Sequence, residues 1–298
     1  VTGVQTCALP IFLVGGRCVD PETGLDAART VVIKDGTILA LLDPATTSPA
    51  AAAVLDCTGK VVAPGFIDLH SHGAAHRPTA RLQALDGVTF QGEFEFGVTD
   101  VAAWFAEREN SGQLLHYGCT VGHIPNRIVA VGGPLADLAA PWHNAHSADP
   151  HLLGTCSCTA HTSHAKRASP KQLAKLTARL ERGLRAGGCG LGLGLAYTAA
   201  AGHAEVQELF ELGARWGGPL FVHSRGTMDE MRDFHELFAC AAASGAPLHL
   251  CHLNSSAAPL GLDGVRRLLR MIDGLASRGV DVSAECYPYA AGDRKSTR

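Results

Sequence analysis

Two histidines one residue apart, His70 and His72, end the stretch VVAPGFIDLHSHG at residues 61–73. Alternate side chains on an extended chain share a face, so both imidazoles can point into one space. Paired imidazole nitrogens at that spacing suit a divalent cation of borderline softness, Zn²⁺ above all. Glu93 and Glu95 repeat the alternate-residue pattern in GVTFQGEFEF and offer hard oxygen ligands; spacing alone does not choose between them. His223 closes the run PLFVHS, and His252 stands in PLHLCHLN. A lone HxH pair is weak evidence, and His76, His116 and His235 read as ordinary surface or core histidines. The pair gains weight from its company: one chain repeatedly places a ligand-type residue behind a short apolar run.

Those runs give the architecture. From residue 61 onward they are GFIDLH (65–70), GVTFQGEFEF (87–96), LHYGCTVGH (115–123), GCGLGLGL (188–195), PLFVHS (219–224), PLHLCHLN (247–254) and VDVSAECYP (280–288). Helical segments lie between several of them. In SPKQLAKLTARLERGLRAGG, Ser169 is placed to cap, Pro170 occupies the first helical position, and Leu173, Leu176, Leu180 and Leu184 recur at helical spacing. HAEVQELFELGARWGG, MDEMRDFHELFACAAASG and LDGVRRLLRMIDGLASRG behave alike, each followed by glycine. Alternating strands and helices imply parallel βα units. Polar residues at so many C-terminal strand ends favour a closed barrel over an open sheet. The expectation is an α/β fold, a (β/α)₈ TIM-type barrel over residues 61–292 that lacks its last strand. Residues 12–60, rich in β-branched runs broken by GG, PETG, KDG and TGK, read as a small separate β-domain.

Composition excludes several partners. The 298 residues are 46% hydrophobic and 18% charged with a net charge of −3, which fits a soluble globular protein and offers no basic patch for nucleic acid or an anionic membrane. Apolar runs are too short to span a bilayer. No basic n-region precedes the first apolar stretch, so no secretory signal is expected. Ten scattered cysteines without a CxxC pair read as reduced thiols, hence a cytoplasmic setting. Both ends look foreign: VTGVQTCALPI and RKSTR resemble translated sequencing-adapter read-through. Residues 1–11 and 293–298 are therefore set aside as non-native, and the native protein is expected to continue past both.

Taken together, VVAPGFIDLHSHG, ALDGVTF, GLGLAYT, FVHSRG and LCHLNS resemble the amidohydrolase superfamily, and within it the D-aminoacylases and N-acyl-D-amino-acid deacylases. The resemblance covers about residues 12–292. It implies that the N-terminal β-domain is part of a β-sandwich, that one or two Zn²⁺ ions sit at the barrel top, and that a small linear amide is hydrolysed. By motif, His70 and His72 correspond to the first-strand ligands, His223 to the fifth-strand ligand and His252 to the sixth-strand ligand. The bridging ligand is a cysteine or a carboxylated lysine in such proteins; neither falls on the second strand here, which leaves Glu95 or Glu93 for that role. The general base is an aspartate on the eighth strand, to which no residue corresponds; Asp293 lies in the adapter-like tail. Substrate contacts implied by motif or position are Arg225, Tyr197, Tyr287, and His123 with Arg127 in GHIPNR. Asn254 stands where D-aminoacylases commonly carry a lysine, which speaks against an acidic substrate side chain. The alternatives are a cyclic-amide hydrolase of the dihydroorotase or hydantoinase kind, and a catalytically dead metal-binding fragment. A homo-oligomer is left open. The His- and Cys-dense stretch at 142–167 matches no zinc framework and reads as a polar excursion over the barrel mouth.

Overall fold

The computed structural model describes residues 9–47, 50–72, 77–131, 166–226 and 230–287. The chain divides into two compact units between Phe66 and Ile67. The first holds β1 (Ile11–Asp20), β2 (Leu25–Lys34), β3 (Thr37–Leu42), β4 (Ala53–Asp56) and β5 (Val61–Val62), joined in one sheet of order β3-β2-β1-β4 with β5 also on β1. β2 pairs antiparallel with both neighbours, whereas β4 and β5 run parallel to β1. The β2–β3 turn is made by Asp35 and Gly36, both at positive φ (51° and 76°), as two-residue hairpins require. β1 shifts register between Leu13 and Gly16. A Cβ on Gly16 would stand 2.7 Å from the Val62 side chain, so glycine there lets β5 approach. The strands expected of a partial sandwich are thus present as one mixed sheet.

The second unit contains β6 (Phe66–Asp68) from Ile67 onward, β7 (Val88–Val98), β8 (His116–Gly122), β9 (Leu191–Gly194), β10 (Leu220–His223), β11 (Leu248–Leu250) and β12 (Val282–Ala284). They form one seven-stranded sheet in strict sequence order. Helices at 77–85, 101–111, 123–131, 170–185, 203–216, 230–244 and 261–276 fill the connections. Each apolar run named above supplies one strand. β9, with the sequence LGLG, is buried at every position, as parallel strands covered on both faces must be. Leu191, Leu193, Leu220, Val222, Leu248 and Leu250 form the core with Leu176, Leu180, Leu209 and Phe210 from the helices.

The sheet is curled. His70, just past β6, is hydrogen-bonded to Glu285, just past β12. Six flat strand spacings of about 4.8 Å would separate those edges by roughly 29 Å. Among the described residues no helix is long and apolar enough to cross a membrane.

The 170–185 helix shows how local chemistry sets an element. Ser169 Oγ accepts from the Gln172 backbone N–H at 3.4 Å, while the Gln172 side chain accepts from the Ser169 N–H at 2.9 Å. This reciprocal cap satisfies two amides that the helix cannot. Ser169→Ala is expected to lower stability by about 1 kcal/mol, seen as a reduced urea midpoint at unchanged slope; an unmoved midpoint would show that the cap contributes nothing.

Candidate metal centre

Glu95 is the hub. Its Oε2 lies 2.9 Å from His70 Nε2 and 3.0 Å from His72 Nε2, and its Oε1 lies 2.7 Å from both His223 Nδ1 and His252 Nε2. The nitrogens within each pair are themselves close, 3.1 Å for His70–His72 and 3.0 Å for His223–His252. One carboxylate therefore carries two imidazoles on each oxygen. Each oxygen with its two nitrogens is a convergent group of three donors.

The backbone makes this convergence. β7 and β8 run in register to Glu93–Cys119 and resume at Val98–Val121, five residues against two. The extra residues swing Glu95 out of the ladder, as bulges beside sites do. Gly97 at φ 63° permits the bend; a Cβ there would meet the Gly122 nitrogen at 2.6 Å. The His70–His72 segment lies along β7 through a bridge of His70 with Glu93 and a bond from the Ser71 N–H to the Gly92 carbonyl. Asp68 braces it, accepting from the His70 N–H (3.0 Å) and from the Gln83 amide (2.7 Å). His223 is the last residue of β10. His252, beyond β11, sits at φ 36° and ψ 52°, a conformation non-glycine residues adopt only under constraint.

Other groups hold the rings from behind. Glu93 Oε1 meets His72 Nδ1 at 2.9 Å, Glu285 meets His70 Nδ1, and Ser256 Oγ meets His252 Nδ1 at 3.0 Å. The alternative of Glu93 at the centre is therefore not what the geometry shows: Glu93 backs His72 while Glu95 faces all four rings. Burial opposes the charged forms of Glu95, His70 and His72, yet pairing wins. Glu95 is held well below the usual carboxylate range by four imidazoles, and His70 is raised to about 9 by Glu285 and Glu95. His72 is raised well above its ordinary value by Glu93 and Glu95.

This donor set fits Zn²⁺ or a similar ion. Two imidazole nitrogens converge on each oxygen of one carboxylate, and N/O donor sets of this kind are those that zinc takes.

The predicted substrate contacts fare differently. Tyr197 reaches the cluster: its ring packs 5.2 Å from that of His223 and 5.8 Å from Phe96, and burial with the nearby Glu95 charge raises its hydroxyl pKa. Tyr287 is half-buried at the end of the described chain. Arg225 is already engaged. The 230–244 helix brings Glu236 against its guanidinium in a bidentate pair (2.6 and 2.9 Å), and the Ala201 carbonyl accepts at 2.7 Å. Its fork is thus engaged by groups of the protein itself. His123 and Arg127 are fully buried, not lining a pocket, and both bind Glu205: His123 Nε2 at 2.9 Å, Arg127 through Nε at 2.7 Å and Nη2 at 3.2 Å. GHIPNR is a structural tie between β8 and the 203–216 helix. His76, residues 142–165 and Asp293 lie outside the described residues.

Sequence reasoning gave no role to Glu285 or His249. Glu285 was visible only as one more polar strand end, and His249, inside an apolar run, carried no signal.

Comparisons with known proteins agree with this picture. No protein-family model matches the chain. The chain is 25% identical to the N-acyl-D-glutamate deacylase of Alcaligenes xylosoxydans xylosoxydans over 311 aligned positions, 94% of this chain and 57% of that protein. It is 24% identical to the dihydroorotase of Trichlorobacter lovleyi over 295, covering 94% and 61%. The zinc- and phosphonate-bound N-acyl-D-glutamate deacylase of Bordetella bronchiseptica superposes with a TM-score of 0.74 at 22% identity, over 95% of this chain and 59% of that one. The fold is shared with the solved N-acyl-D-glutamate deacylase and D-aminoacylase, and the chain resembles these proteins. It spans about three-fifths of the length of these relatives.

Glu205 offers a test away from the cluster. Burial would raise its pKa, but His123 and Arg127 hold it down to about 2 from an ordinary 4.5. A depressed carboxylate stabilises the fold above its unfolded pKa and loses that stabilisation as pH falls through the folded one. Glu205→Gln should cost about 3–5 kcal/mol at pH 7, since it also strands a buried arginine. In denaturant titrations the gap between wild type and variant should narrow below pH 4.5; a gap that stays constant would contradict this.

Proposed function

We propose that this chain carries the metal-binding barrel of a hydrolase that cleaves a linear amide of the N-acyl-D-amino-acid class, with one or two Zn²⁺ at the Glu95 cluster. One observation carries the reading: a single buried carboxylate with an imidazole pair on each of its oxygens. Each half is a set of three donors, the count that catalytic zinc sites use while keeping a position for water or substrate. When bound, the metal would supply hydroxide at neutral pH and polarise the scissile carbonyl. The protein's part is to hold the donors. Glu93 and Glu285 keep the His72 and His70 rings turned so that Nε2 faces the centre, and Ser256 does the same for His252. Tyr197 and Phe96 pack against the His223 and His72 rings. The convergent donor groups among the described residues contain no aspartate. The proton-accepting aspartate implied by the resemblance is therefore not part of these groups, and we expect metal and ligand binding by this chain with negligible turnover.

The linear-amide class is supported by the resemblance to the deacylases across 94% of the chain. A second reading, a cyclic-amide hydrolase, is favoured by a dihydroorotase relative of almost equal identity and coverage. Against it, β9 is LGLG and offers no lysine for carboxylation. The proposal further takes residues 12–60 as part of a β-sandwich, residues 61–292 as the barrel unit, and a cytoplasmic setting with reduced thiols. Among the described cysteines, Cys18, Cys57, Cys119, Cys189, Cys240, Cys251 and Cys286 are free.

Calorimetry on the 298-residue chain tests the reading. Zn²⁺ should bind, Glu95→Ala should weaken binding by at least about 100-fold, and N-acetyl-D-amino acids should bind the loaded protein in preference to their L-enantiomers and to cyclic amides. Preference for dihydroorotate or hydantoins would favour the second reading, and Zn²⁺ affinity unaffected by Glu95→Ala would remove both.

A further inference from the structure

Glu285 follows β12 directly, where its backbone is clamped to the end of β11: its N–H donates to the Leu250 carbonyl at 3.1 Å, and its own carbonyl accepts from the Leu253 N–H at 2.8 Å. That clamp leaves little freedom to the side chain, whose two oxygens are fully used. Oε1 meets His70 Nδ1 and also accepts from the backbone N–H of His252 at 3.2 Å; Oε2 meets His249 Nε2 at 3.3 Å. His249 is in turn fixed by Ser283 Oγ on its Nδ1 at 2.8 Å. The Cys251 thiol converges on the same carboxylate.

One carboxylate from the seventh barrel strand therefore touches a candidate ligand from the first strand and the backbone of another beyond the sixth. These two ligands belong to opposite oxygens of Glu95. We infer that Glu285 is the positioning residue that holds the two halves of the metal centre in register: it keeps the proton on His70 Nδ1, so that Nε2 presents its lone pair, and it anchors His252 in its left-handed conformation. It is not itself a ligand to an ion at Glu95, because it contacts the far nitrogen of His70, and a neutral imidazole has one lone-pair nitrogen only. With an ion on His70 Nε2, the Nδ1 that faces Cys251 and Glu285 keeps its proton, so His70–Cys251–Glu285 does not act as a second ion site at the same time. Carboxylates placed behind metal-binding histidines change affinity by about 10–100-fold when removed.

The inference rests on the reading of His70, His72, Glu95, His223 and His252 as ligands. The experiment is Zn²⁺ titration of metal-depleted full chain against a chromophoric chelator, wild type beside Glu285→Gln, with thermal unfolding of the metal-free forms as the check on folding. The expected result is a folded variant whose Zn²⁺ affinity is about 10–100-fold lower. A folded variant within twofold of wild type overturns the role of Glu285 and leaves the ligand reading standing. A wild type that binds no Zn²⁺ overturns the ligand reading itself. Should the variant fail to fold, ¹⁵N-histidine spectra of the Zn²⁺-loaded wild type decide the matter: a proton on His70 Nδ1 is expected, and an unprotonated, metal-bound Nδ1 overturns the inference.

Discussion

A carboxylate that is 5% exposed must be met by hydrogen-bond donors or by positive charge, and at Glu95 that constraint gathers side chains from the ends of three other strands of the curled sheet. Left alone, such a group would cost several kcal/mol to desolvate. Four imidazoles surround it, and two of them, His70 and His72, are driven toward the charged form by the carboxylates on both sides of their rings. The same nitrogens that hold protons next to Glu95 are those that would hold a divalent ion, so proton and metal compete for one place. Such a site is poised for a metal without being rebuilt to receive it.

The fold meets this demand through local irregularity on a regular frame. The parallel strands and their helices are built from apolar repetition and need nothing special. The site needs three departures from that regularity: the β7 excursion that carries Glu95 out of the ladder, the glycine at 97 that permits it, and the left-handed His252. The excursion and the left-handed His252 are disfavoured in isolation and persist because their surroundings over-determine them, whereas glycine adopts the positive φ at 97 without steric cost. Curling of the sheet brings the first and last strands together, and the bond between His70 and Glu285 spans the result.

Much of this was legible in the residues. Every apolar run became a strand in its expected order because short buried segments separated by helices have few other arrangements. The Ser169 cap was readable because its partners lie within four residues. The four histidines and Glu95 could be named because their spacing and position behind strands carry information. Glu93 could not be assigned from spacing, since the irregularity in β7 breaks the alternation that would have decided it. The partners of Arg225 and Arg127 were hidden for a different reason. A buried guanidinium takes whatever carboxylate the fold delivers, and Glu236 and Glu205 arrive from helices 11 and 78 positions away in sequence. Glu285 illustrates the same limit, its partner at position 70 being 215 residues distant.

The direct test is X-ray absorption at the zinc edge on the Zn²⁺-loaded chain. A centre built on Glu95 and four histidines predicts a first shell of nitrogen and oxygen only, at about 2.0–2.1 Å, with the outer-shell scattering of imidazole. A sulfur shell at about 2.3 Å would place a cysteine on the metal and contradict the account.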